Sequence, residues 1–109
     1  MAQFMLLLRD DRAGFEKLSP KEMEEAMGRY MAWSKEPFIA DANRLKAGGR
    51  VMVKNGDGIK ITDGPYAEAK EVLGGYYTIN AADLEEAVAI AKTHPHLDFG
   101  TVELREVYG

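Results

Sequence analysis

The sequence predicts an α+β fold: a ferredoxin-like βαββαβ core that carries an extra β-hairpin and closes on a second copy of itself. Three observations lead there. The run Phe4-Met5-Leu6-Leu7-Leu8, ended by Arg9-Asp10-Asp11, is apolar without alternation and reads as a strand buried on both faces. Two stretches with apolar residues at helical spacing follow at separate places, each behind a capping residue. The order strand, helix, hairpin, strand, helix, strand then puts both helices on one sheet face. The other face of the first strand also needs cover, and a chain of 109 residues has no spare element for it. A second copy is the economical cover, so a homodimer is expected.

Element by element, Ser19-Pro20-Lys21-Glu22 opens the first helix, with Ser19 as cap, Pro20 at the first helical position and Glu22 closing a capping box. Met23, Met27, Tyr30, Met31 and Trp33 or Ser34 form its apolar stripe. Pro37 interrupts the pattern near Glu36, and the spacing predicts that helix resumes from Ala40 to Lys46 before Gly48-Gly49 stops it. Residues 50–54 and 58–62 flank Asn55-Gly56-Asp57, a hairpin turn. After the turn Asp63-Gly64-Pro65-Tyr66, residues 74–79 form an aromatic and β-branched strand. Asn80 is placed to cap the second helix, whose stripe is Leu84, Ala87, Val88 and Ala91. Thr93-His94-Pro95-His96 ends it. Residues 101–107 close the chain as a strand with period-two alternation, sending Val102 and Leu104 to the helices and Glu103 and Arg105 to the opposite face.

Composition narrows the function. Fourteen Lys plus Arg against 18 Asp plus Glu give a net charge of -4 with no basic block, so a nucleic-acid partner is not expected. Zero Cys excludes disulfides, thiolate metal sites and cysteine nucleophiles together. The longest apolar runs are far below the ~20 residues a membrane helix needs, and no basic segment followed by a longer apolar one opens the chain. One cytoplasmic domain over residues 1–109, without a membrane partner, is the expectation.

The segment Asp63-Gly64-Pro65-Tyr66-Ala67-Glu68-Ala69-Lys70-Glu71, followed by Leu73-Gly74-Gly75-Tyr76-Tyr77, resembles the YciI-like (YCII-related) family, in particular its DGPF branch. Tyr66 stands where that branch has Phe, which keeps the ring and adds a hydroxyl. Val102-Glu103-Leu104-Arg105-Glu106-Val107 is similar to the family's closing Glu-Val-Arg strand. The resemblance implies a dimeric α+β barrel, two ferredoxin-like sheets packed face to face, and for this branch a link to extracytoplasmic-function sigma factors. Some members pair a His on the first helix with an Asp before a Pro after the second helix. Here the first helix has no His, and His94 precedes Pro95, so that dyad is absent.

Residues 63–71 gather a carboxylate, a phenol and an ammonium around a proline-fixed turn, making Asp63, Pro65, Tyr66 and Lys70 ligand-binding candidates, with Arg105 as a fifth. Desolvation there would move a carboxylate toward acid-base work, so Asp63 is also a catalytic candidate, beside His94. The alternative is structural: Asp63 stabilising the turn, Gly64 and Pro65 shaping it, Tyr66 packing. Glu103 and Arg105 either pair across strands or line a polar cavity, while Glu68, Lys70 and Glu71 equally fit a solvated edge. His94 and His96 are two apart but separated by Pro95 with no third ligand in view, so no metal site is assigned. A His at a helix end bonding free carbonyls is the plainer reading. Ser19 and Ser34 sit in no nucleophile elbow. The expected function is a small-molecule-binding or regulatory module that needs no cofactor. The alternative is a cofactor-independent isomerase- or lyase-like enzyme acting on a small organic acid or ring compound.

Overall fold

The computed structural model describes residues 1–11, 17–64 and 71–109. Strand β1 (Ala2–Asp11) leads to helix α1 (Pro20–Trp33), strand β2 (Ile39–Arg44), the hairpin β3 (Gly49–Asn55) and β4 (Gly58–Gly64), strand β5 (Glu71–Ala81), helix α2 (Leu84–Ala91), a 3-10 turn (Pro95–Asp98) and strand β6 (Gly100–Glu106). Four strands form one antiparallel sheet in the order β2-β5-β1-β6, and β3-β4 make a separate two-stranded sheet. The βαββαβ order with an inserted hairpin is therefore present within one chain.

Alternation along the strands decides what lies under the helices. Phe4, Leu6 and Leu8 of β1 meet Tyr77, Ile79 and Ala81 of β5, with Trp33 of α1 and Ala87 and Ala91 of α2 covering them. Burial of this cluster is the main favourable contribution to folding. Met5, Leu7 and Arg9 point to the other face with Tyr76, Thr78, Glu103 and Arg105, and no described element covers that side. The molecule is accordingly a slab of 45 × 41 × 18 Å with a radius of gyration of 16.0 Å, against about 13 Å for a compact chain of this length.

Local chemistry sets the element boundaries. The capping box of α1 forms as its sequence dictates: Ser19 Oγ accepts from the Glu22 amide at 3.1 Å and the Glu22 carboxylate from the Ser19 amide at 3.0 Å. In the hairpin loop Gly56 takes φ +62°, a conformation costly for any residue with a Cβ.

Three expectations are corrected. Helix does not resume after Pro37: β2 occupies Ile39–Arg44, and its pairing with β5 overrides the helical propensity of Ala40-Asp41-Ala42. The register slips between Ile39 and Asp41, a bulge that erases the alternation by which a strand is recognised. Asn80 is not the cap of α2. It belongs to β5, where its amide bonds the Phe38 carbonyl, and Asp83 caps instead, accepting from the Glu86 amide at 2.9 Å. Of the two expected stripes only parts are buried: Ala87 and Ala91 in α2, with Leu84 and Val88 left outside, and Trp33 in α1, with Met31 outside; Ala26, not expected in the stripe, is the other buried residue of α1.

Candidate functional site

The densest grouping of polar chemistry lies where the end of β1, the last turns of α1 and the 3-10 turn meet. Pro95 starts that turn and brings two histidines inward, His94 and His96, each only 2% exposed. His96 Nε2 sits 2.9 Å from the Arg9 carbonyl oxygen and 3.1 Å from Asp10 Oδ1. Two acceptors on one nitrogen put the proton there, so in the neutral ring Nδ1 accepts from the Tyr30 hydroxyl at 2.6 Å. The proton aligns with the Arg9 carbonyl, and Asp10 Oδ1 lies beside it at ion-pair distance without an aligned hydrogen bond among the described residues.

His94 is held differently. Its Nδ1 accepts from the His96 amide at 3.0 Å, so its proton is on Nε2, a buried donor with no partner among the described residues. Its ring packs edge-on against Trp33, Tyr77 and Tyr30. Burial, reinforced by the neighbouring His96, pushes its pKa down to about 4, which keeps it neutral. It does not bond helix-end carbonyls, the role expected of a histidine at a helix end. Burial also raises the Tyr30 phenol well above its ordinary range, with the Asp10 carboxylate adding to the effect. Asp10 is raised by burial too, opposed by His96 and Arg44.

Two glycines make room for this cluster. A Cβ on Gly74 would run into the Asp10 carboxylate, and one on Gly100 into the Arg9 carbonyl oxygen and the His96 ring. An open groove of about 280 Å³ runs past the outer side of Trp33, bordered by Arg29, Glu36, Thr93 and Pro95, with Arg29 paired to Asp98 at 2.6 Å.

A second polar grouping lies on the bare sheet face. Glu103 Oε1 bonds Arg9 across the strands at 3.1 Å, and its Oε2 bonds Arg105 along β6 at 3.3 Å. The Arg9 bond, helped by Arg105, holds the Glu103 carboxyl below its usual range. On the far side of the Met5-Leu7 strip, the Tyr76 hydroxyl accepts from Asn43 at 2.8 Å and donates to Asp41 at 3.3 Å.

The residues singled out from the sequence are not gathered by the fold. Asp63 is on the hairpin, solvated and paired with Arg50 at 3.2 Å; His94 is in the core; Arg105 is on the bare face. No hydrogen bond or ion pair joins these three among the described residues. Pro65, Tyr66 and Lys70 lie outside the described residues. Tyr30, His96 and Asp10 were not singled out as site residues. The signals for them were two histidines flanking a proline, a carboxylate at a strand end, and two glycines, Gly74 inside β5 and Gly100 at the start of β6.

No curated protein matches the chain. The YCII-related domain family, whose model describes a domain without an assigned function, matches residues 2–109, and the chain belongs to that family.

Proposed function

We propose that this chain is a homodimeric small-molecule-binding module of the DGPF branch, working in a sigma-factor-linked regulatory system. The observation that carries the reading is the bare sheet face: an apolar strip of Met5 and Leu7 between two polar networks, Arg9-Glu103-Arg105 and Asp41-Asn43-Tyr76. A second copy laid on it would enclose an apolar floor with guanidinium and carboxylate walls, a fitting environment for a small organic acid bearing a ring. Arg105 is the anion clamp in this reading, and residues 63–70 supply further contacts through Asp63, Pro65, Tyr66 and Lys70. The sigma-factor link rests on the motif of residues 63–77 and its likeness to that branch. A metabolite-library thermal-shift screen tests the binding role: acidic ring compounds should raise the melting temperature, and Arg105→Ala should weaken the best hit at least tenfold. Hits that ignore Arg105→Ala would remove the bare face as the site.

A second reading, acid-base catalysis without a cofactor, is favoured by the Asp10-His96 pair. Asp10 is partly exposed, carries a raised pKa and is held by a histidine that Tyr30 orients, the arrangement a general base needs. His94, neutral and buried, would then position His96 through its amide. Turnover of any hit abolished by Asp10→Asn would establish this reading, and hits bound without turnover would leave the binding module.

A further inference from the structure

We propose that the β3-β4 hairpin is an intersubunit arm whose Met52, Ile59 and Ile61 face packs against a second copy of the chain. This rests on the homodimer reading and names a surface that the reading does not specify. The register places Arg50 opposite Asp63, Met52 opposite Ile61 and Lys54 opposite Ile59. Residues directly opposite one another share a face, so the three apolar side chains and the Arg50-Asp63 ion pair lie on the same side of the hairpin. Met52 is 66% exposed, Ile59 60% and Ile61 59%. Lys54 shares that side, while the opposite side carries Val51, Val53, Lys60 and Thr62, whose apolar members are smaller; Val53 is 49% exposed.

An isolated two-stranded hairpin is marginal in water, and this one pairs with no strand of the main sheet. Its apolar face therefore needs a cover that the described chain does not provide. A second copy is the occupant that size favours. The bare face of the four-stranded sheet has a projected area of roughly 500 Å² from strand spacing and rise, so two such faces alone bring about 1,000 Å² together, below the ~1,200 Å² of a stable pair. Seven-residue strands give the arm a reach of about 24 Å and a face of roughly 250 Å². With two arms, the dimer rises to about 1,500 Å², inside the range of specific interfaces. The tight turn at Gly56 sets the register that keeps the three apolar residues on one side, and the exposed Arg50-Asp63 pair at the arm's base fits it.

The test uses the full chain, whose lack of Cys makes any introduced thiol unique. Met52→Cys should react with a maleimide at least tenfold more slowly than Lys60→Cys on the opposite face. Ile61→Asp, a change at an exposed position of the single chain, should raise the dimer dissociation constant at least tenfold in analytical ultracentrifugation, while Lys60→Asp should change it less than threefold. A wild-type dimer in which both thiols react alike and Ile61→Asp dimerises as tightly as wild type overturns the arm and leaves the dimer standing. A wild-type monomer overturns the homodimer reading and the arm with it.

Discussion

His94 is neutral in the folded chain because the cost of burying an imidazolium exceeds what its surroundings return. In the unfolded chain its pKa is near 6.5, so between there and about 4 the unfolded state binds the extra proton. Stability from this group is thus full above pH 6.5 and falls as the pH drops toward 4, by an amount on the order of 3 kcal/mol. Asp10 opposes it, since a raised carboxyl protonates more readily in the folded state and returns stability at the acid end. Urea midpoints at pH 7.5 and pH 4.5 check this. Wild type should lose stability on acidification, and His94→Asn, which keeps an acceptor near Nδ1 but cannot titrate, should lose less. The glycines around the cluster give a second expectation. Gly100→Ala puts a methyl into the Arg9 carbonyl, which cannot move without β1, and should cost about 1–3 kcal/mol or more. Gly28, inside α1 with open space around it, should gain roughly 0.5–1 kcal/mol on becoming Ala. Equal effects at the two sites in thermal denaturation would contradict the packing described around His96. None of this was legible from residue types alone: a histidine beside a proline reads as a helix end, and only the return of the chain along β6 shows that both rings turn inward.

At the scale of elements, the most readable signals were those settled by short-range chemistry. Ser19 and Glu22 make a capping box because four consecutive residues suffice to build it, and Ser19→Ala should lower stability by about 1 kcal/mol in the same urea assay. Gly56 marked the hairpin turn because a positive φ is a local demand. The segment after Pro37 was misread for the opposite reason. Its strand exists through pairing with β5, some forty residues later, and its bulge removes the alternation that would have announced it. Asn80 was likewise a reasonable cap on local grounds, but β5 runs through it to Ala81, and the first free capping side chain after the strand is Asp83. The candidate site was less legible than the fold. Its parts come from β1, α1 and the 3-10 turn, and the contacts of Asp10, Tyr30 and His96 span 66 residues or more.

Among the described residues, the main sheet is clothed by helices on one side only. Phe4, Leu6 and Leu8 are under the helices, while Met5 and Leu7 on the same strand have no cover from the described chain. The apolar run that first suggested a doubly buried strand thus has half of its requirement met within the chain, and the hairpin's exposed Met52, Ile59 and Ile61 add to what is unmet. In the homodimer proposed above, a second copy would meet both needs with one twofold arrangement. Closing the faces would also desolvate the Arg9-Glu103-Arg105 network, so the dimer should tolerate Glu103→Ala poorly. Two guanidiniums left without their carboxylate at an interface would oppose association, read as a raised dissociation constant. The most direct measurement of the central claim is light scattering on the wild-type chain at micromolar concentration. The account predicts a particle of twice the 12.1 kDa chain mass, and a 12.1 kDa monomer would contradict it.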